Sequence, residues 1–455
     1  MAITITDSPR SFTFLHQKLI YMASSTNVAN TGFRYVVEVT VGGDTHTFTI
    51  PPNPSNRLVF DIRPVIEGYF ESQTVFTSLS QENIHTLGLS DAFLHLYEDP
   101  ASSSLVRQID VVVKEGWIIA GVFTPTAVGQ ATDSCIVLNS KFENYGSAVS
   151  SLFGGKSIGY KPTIDMNSTK IMKDWPSDLN NRWTLTTTYS FSPGQAPRFP
   201  ITAADAGVIS FIADDGTYFA AGNPVAKVRI TIYESNGTPN TADYNITTAP
   251  GRICHFGVYP YNLDNTGYVG FLAPSSFPNY RAYTIELLDA GNVRLDDPIT
   301  FYPTENYDYD NSVECRTESR VVRAGWRNSS GGWSYFNFIF QNITSYGIDR
   351  KMAHQILGDY AGTSFTYYPS DRGMTNYHNR VEMYLTATSD HLSSTEFKYV
   401  GNMFRSNDVQ LIFPTDDSVS SIPVILEDSN YEEQRESATQ LKRLTVKFKL
   451  ARQLW

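Results

Sequence analysis

One strand-and-turn phrase occurs twice in this chain, and the repetition limits what the chain can fold into. The first copy holds Val37-Glu-Val-Thr-Val41, the turn Gly42-Gly43-Asp44 and Phe60-Asp-Ile-Arg-Pro64, then Phe93-Leu-His-Leu-Tyr97 and Ile109-Asp-Val111. The second holds Val228-Arg-Ile-Thr-Ile232, the turn Asn236-Gly237 and Phe256-Gly-Val-Tyr-Pro260, then Tyr283-Thr-Ile-Glu-Leu287 and Ile299-Thr-Phe301. Matching landmarks are offset by 191, 196, 190 and 190 residues. A single match would carry little weight, because alternating strands resemble one another. Four in order imply two related β modules in tandem.

Composition points the same way. The 455 residues include 27 Tyr, 27 Phe and 6 Trp, while charged residues make up only 18%. That mixture suits strands with aromatic inner faces and polar outer faces better than long charged helices. The expected fold is mainly β: tandem β-sandwich-like modules followed by a smaller β-rich (α+β) C-terminal domain. Residues 1–123 form the first module, 124–179 a connector rich in Ser, Gly and Asn, 180–306 the second module, and 307–455 the C-terminal domain.

Local signals fill in this outline. Alternation from Phe33 to Val41 resumes at Thr47-Phe-Thr-Ile50 after the glycine turn, which predicts a hairpin. Pro51 and Pro52 then stop the strand, because proline cannot donate to a ladder. Asp61–Tyr69 reads as a short helix or turn. In the C-terminal domain, Arg320–Trp326 and Trp333–Phe340 flank a Gly331-Gly332 turn and predict an aromatic hairpin. Ser393-Ser-Thr-Glu396 is a capping box ahead of Phe397, Val400 and Phe404, so a helix of about ten residues starts there. Tyr346–Leu357 is a second helix candidate.

Charge and cysteine usage narrow the function classes. The net charge of −11 disfavours nucleic acid, which needs clustered bases. The one dense basic stretch, Lys442 to Lys449, alternates Lys447 and Lys449 with Val446, Phe448 and Leu450, as a strand with one wet face does. The longest apolar run, Trp117–Phe123, is too short to span a membrane. Cys135, Cys254 and Cys315 are odd in number and far apart, which suits a reducing cytoplasm rather than a disulfide framework.

Motifs that could carry chemistry have simpler readings. Gly155-Lys156-Ser157 resembles the end of a phosphate-binding loop, but position 150 is Ser where the loop needs Gly. Asp308 with Asp310, or Asp214 with Asp215, could pair for glycoside hydrolysis, yet both sets fit turns or linkers. Asp289 is likewise turn chemistry. The eight histidines, His378 among them, have neither nucleophile context nor metal spacing. Trp326, Trp333 and Tyr335 are the candidate contacts for a glycan or a protein interface. Trp333 and Tyr335 share one strand face, however, and core packing carries the greater weight. No catalytic, cofactor or metal residue is expected.

Several phrases carry a family resemblance. Tyr21-Met-Ala-Ser-Ser-Thr-Asn27 to Phe33-Arg-Tyr35, leading to Pro52-Asn-Pro54 and Phe60-Asp-Ile62, resembles virion proteins in tailed phages of Bacteroidota hosts. The hairpin Trp326-Arg-Asn328 to Gly331–Phe338, Phe404-Arg-Ser-Asn-Asp-Val409, and Ile422-Pro-Val-Ile425 to Ser429-Asn-Tyr-Glu432 fit that pattern too. The resemblance covers both ends and the third region and leaves 124–179 unmatched. It implies a structural role among tail proteins and no catalytic residues.

The expected function is that of a non-enzymatic virion structural protein of the tail, baseplate or tail-fibre attachment apparatus, made in the bacterial host cytoplasm. Its expected partners are other virion proteins and further copies of itself, with neither nucleic acid nor membrane insertion. The alternatives are a glycan-binding adhesin of the virion surface, a head or collar decoration protein and, last, a polysaccharide-degrading enzyme.

Overall fold

The computed structural model describes residues 3–16, 18–70, 84–86, 95–101, 103, 105–140, 171–172, 201, 205–218, 224–234, 239–264, 280–295, 298–301, 321–328, 331–355, 358, 363–366, 368–369, 373–392, 394–414, 419–427 and 443–451. It is mainly β, arranged in five sheets.

The first module is a sandwich. One sheet runs β1 (Ile3–Asp7), β3 (Ile20–Ser25), β6 (Arg57–Asp61). The other runs β2 (Phe12–Phe14), β9 (Val122–Leu138), β8 (Val106–Ile119), β4 (Arg34–Val41), β5 (Asp44–Ile50), antiparallel except that β2 lies parallel to β9. Alternation decides what faces inward: Tyr35, Val37, Val39 and Val41 from β4 join Ile109, Val111 and Val113 from β8, all buried. Tyr21 and Leu58 from the facing sheet enter the same cluster. The expected hairpin forms, with Val41 opposite Asp44, and β5 ends on the sheet edge just before Pro51.

The second module repeats this pairing scheme. β10 (Val208–Ile212) pairs with β13 (Ile253–Gly257), as β3 pairs with β6. β11 (Lys227–Glu234) lies between β12 (Pro239–Asn245) and β14 (Tyr280–Leu288), as β4 lies between β5 and β8. β15 (Ile299–Phe301) flanks β14 as β9 flanks β8. Each Pro-containing phrase ends a strand and opens a short helix: α1 (Arg63–Ile66) after β6, and α2 (Pro260–Asp264) after β13. Proline suits a first helical turn, where its missing N–H has no intrahelical partner to lose.

Two of the four sequence landmarks are therefore true counterparts, and two need correction. The counterpart of β14 is β8, since Val37 faces Val113 and Val228 faces Leu287. Phe93–Tyr97 matched Tyr283–Leu287 only in spacing: its described part lies in β7 (His95–Glu98), which crosses over to extend the second module's sheet beside β13. The connector boundary at 124 also moves, because β9 runs to Leu138 inside the first sandwich. Residues 141–170, with Gly154, Gly155 and Gly159, lie outside the described residues.

The third region is a seven-stranded sheet in the order β17 (Trp333–Phe338), β16 (Val322–Arg327), β20 (Val409–Pro414), β21 (Val419–Leu426), β22 (Thr445–Leu450), β19 (Met374–Thr388), β18 (Gln341–His354). The Gly-Gly hairpin is present, with Arg327 opposite Trp333. The capping-box helix is α3 (Ser394–Gly401), whose Phe397 and Val400 are buried. The helix expected at Tyr346–Leu357 is instead β18, paired with β19 throughout with one register shift between Lys351 and Met352; Leu357 lies outside the described residues. The division at 307 is not a division of the core either: one apolar cluster contains Val228, Phe256 and Tyr283 together with Trp326, Phe338 and Phe448.

Candidate functional site

The densest buried chemistry lies where the three regions meet. Ser210 interrupts the apolar run of β10, and His255 sits opposite it in the buried run of β13. Glu98 ends β7 on the other side of β13, opposite Ile253 and so two pairs along from His255. The Ser210 hydroxyl lies 2.8 Å from His255 Nδ1, and His255 Nε2 lies 2.9 Å from Glu98 Oε1. Ser103 donates to the other Glu98 oxygen. Burial opposes ionisation of Glu98, but the hydrogen bonds from His255 and Ser103 and the nearby Arg327 charge outweigh it and hold its pKa below the usual value. With a carboxylate at Nε2, a neutral His255 carries its proton there and accepts from Ser210 through Nδ1.

Serine, imidazole and carboxylate in that order are the parts of a nucleophilic triad. Access decides against that role. Ser210 is 1% exposed and His255 is fully buried. The Gly331-Gly332 turn presses on Ser210: a Cβ on Gly332 would stand 3.2 Å from the Ser210 Cβ and fall against the Met172 carbonyl oxygen. Asn328 fastens that turn, accepting from Gly332 N at 3.0 Å and donating to Met172 O at 3.0 Å, while Met172 N donates to Ser210 O at 2.8 Å. The row is a cross-strand lock that ties β7, the second module and the third region into one interior.

A second buried network adjoins it. Arg323 donates to Ala206 O and Asn337 Oδ1, both at 2.9 Å, and lies 3.3 Å from Asp205. Its guanidinium stacks over Tyr259 and Tyr335 at 4.3 and 4.8 Å. The Tyr335 hydroxyl accepts from Val208 N at 3.0 Å and meets His85 Nδ1 at 3.1 Å. Burial, helped by the Arg323 charge, lowers the His85 pKa to about 3 and keeps the ring neutral.

The three candidate glycan contacts belong to this interior. Trp326, Trp333 and Tyr335 are all buried, with Trp326 packed at 5.3 Å from Tyr399 and Trp333 edge-on to His85 at 4.8 Å. They are core residues and offer no surface to a sugar; the strands that hold them are covered on both faces. Asp214 accepts from Gly216, Tyr218 and Gly251 backbone N–H groups, and Asp289 from Val293, so both are turn acceptors. Asp308, Asp310 and Gly155-Lys156-Ser157 lie outside the described residues. Burial pushes the Cys135 thiol up to about 12 and raises Cys254 as well, so neither supplies a thiolate.

Among the described residues, no group of three or more His, Cys, Asp or Glu could hold a metal ion, and no helix is long and apolar enough to cross a membrane. Glu98, Ser210, His255 and Arg323 escaped the sequence reading. The signal was present: a polar residue inside an apolar strand run must be paired if both faces are covered. No protein-family model matches this sequence, and no curated protein matches it.

Proposed function

We propose that this chain is a structural subunit of a tailed-phage virion, in the tail, baseplate or tail-fibre attachment apparatus, and that it works by protein–protein contact. One observation carries the structural part of this reading: the Ser210–His255–Glu98 row is sealed and bonded internally, while exposed apolar side chains gather on a two-stranded arm. That arm is the β18–β19 hairpin, where Tyr346, Ile348 and Met352 are 60, 53 and 55% exposed. Apolar groups held in water on a regular element favour association. The virion part rests on the resemblance of phrases at both ends of the chain and in its third region to phage virion proteins.

The adhesin alternative loses its proposed contacts, since Trp326, Trp333 and Tyr335 are interior. An enzyme built on Ser210 would need the Gly-Gly turn to lift away. Mass spectrometry of purified particles from an infected host tests the proposal. The protein is expected among the virion components in stoichiometric amounts, and its absence would overturn the placement.

A further inference from the structure

The outer strand of the seven-stranded sheet has a long open edge. β18 pairs with β19 on one side, and no strand among the described residues pairs with the other. Fourteen residues run without proline, and the register shift between Lys351 and Met352 puts the extra residue, Tyr377, on β19 rather than on the edge. Natural sheets protect such edges with bulges, prolines or short length. This edge has none of those three, and its charge is confined to Asp349, Arg350 and Lys351.

The faces of the arm differ. Thr344, Tyr346, Ile348 and Arg350 stand on one face with their partners Leu385, Met383, Val381 and Asn379, and that face leads into the core through Ala387. The opposite face is ionic: Glu382 is paired with Lys449 and Arg380, and Tyr384 lies beneath Lys447. β18 and β19 together carry three Lys or Arg (Arg350, Lys351, Arg380) and two acids (Asp349, Glu382), a net charge of +1 on a chain of −11. The arm therefore contributes nothing to the net negative charge through which copies of this chain repel.

We infer that the open edge of β18 is an interface for β18 of a second copy, the two strands pairing antiparallel across a two-fold axis at Ile348. A two-fold normal to the sheet keeps the apolar face on one side only if residues of equal parity pair. Centring on Ile348 meets that condition and overlaps most of the strand, from Ile343 opposite Ala353 to its symmetric equivalent. Tyr346 of each copy then faces Arg350 of the other, a cation–aromatic pair formed twice, and Lys351 faces Ser345. No like charges stand directly opposite. The pairing satisfies the outward backbone groups of both edges in one isologous contact. This inference rests on the structural reading and names the partner of the arm.

Sedimentation of the full-length chain across micromolar concentrations tests it, alongside Ile348→Lys, which sets two ammonium groups face to face. The wild type is expected to dimerise, and Ile348→Lys to weaken the dimer by at least about tenfold with unchanged thermal unfolding of the dilute monomer. Ile348→Cys is expected to cross-link across the axis on mild oxidation while the wild type does not, since paired Cα atoms about 5 Å apart suit a disulfide. A wild type that stays monomeric overturns the inference. So does an oligomer indifferent to Ile348→Lys, although the structural reading would survive that result; absence from purified particles would overturn the virion placement and leave this dimer untouched.

Discussion

The two ends of the seven-stranded sheet are built from similar sequence and meet opposite fates. β16 and β17 are buried at every position, covered on one face by the second module and on the other by α3 and its neighbours. β18 is exposed along nearly all of its length. Both ends alternate aromatic and aliphatic residues with polar ones. At the inner end the polar members, Arg323, Asn328, Ser334 and Asn337, are buried with internal hydrogen-bond partners. At the outer end Thr344 and Arg350 are exposed. What distinguishes core from surface here is what covers the strand, and a β sequence does not carry that information by itself.

The strongest way to break this contrast is to open the inner end. Gly332→Val should destabilise the chain by at least about 3 kcal/mol, because its side chain must displace the Met172 backbone and Ser210 together. A urea midpoint close to wild type would mean that the turn is not seated on the second module. His255→Ala should cost about 3 kcal/mol, since it strands the Glu98 carboxylate and the Ser210 hydroxyl in the interior.

Acid should act on the same end. His85 has a folded pKa of about 3 against 6.5 in the unfolded chain, so between those values the unfolded state binds more protons. Its contribution is complete above pH 6.5 and declines as the pH falls toward 3, by about 1.4 kcal/mol per pH unit. Glu98, with its lowered pKa, adds loss in the same direction below its unfolded value of 4.5. His85→Gln should flatten the stability profile between pH 6 and 5, as followed by urea titrations at each pH; an unchanged slope would remove His85 from the interior.

Smaller effects sharpen the comparison. Ser210→Ala should cost about 1 kcal/mol through one lost hydrogen bond. The native protein should also resist a serine-directed fluorophosphonate, because the hydroxyl is sealed. Rapid labelling of Ser210 would reopen the hydrolase reading. Ile348→Lys at the outer end should change the monomer's stability by less than about 0.5 kcal/mol, the usual range for an exposed position.

Much of the architecture was legible locally. The hairpins at Gly42-Gly43 and Gly331-Gly332, the short helix after Phe60 and the capped helix at Ser394 all depend on residues a few positions apart. What escaped depends on distant partners. β7 is an ordinary short strand, and nothing within it says that it pairs with β13 about 160 residues later. Nothing local in the segment from Tyr346 to His354 decides between helix and strand, and the β19 ladder makes it a strand. The Ser210–His255–Glu98 row was hidden for the same reason: its members come from three segments that meet only across one sheet.

Hydrogen–deuterium exchange of the full-length chain at low and high protein concentration compares both ends in one experiment. β10, β13, β16 and β17 should be the slowest segments at every concentration. β18 should exchange fast when dilute and slowly when concentrated, with Ile348→Lys removing that dependence. Fast exchange at β10 and β17, or exchange at β18 that ignores concentration, would contradict the picture of a sealed inner end and an assembling outer one.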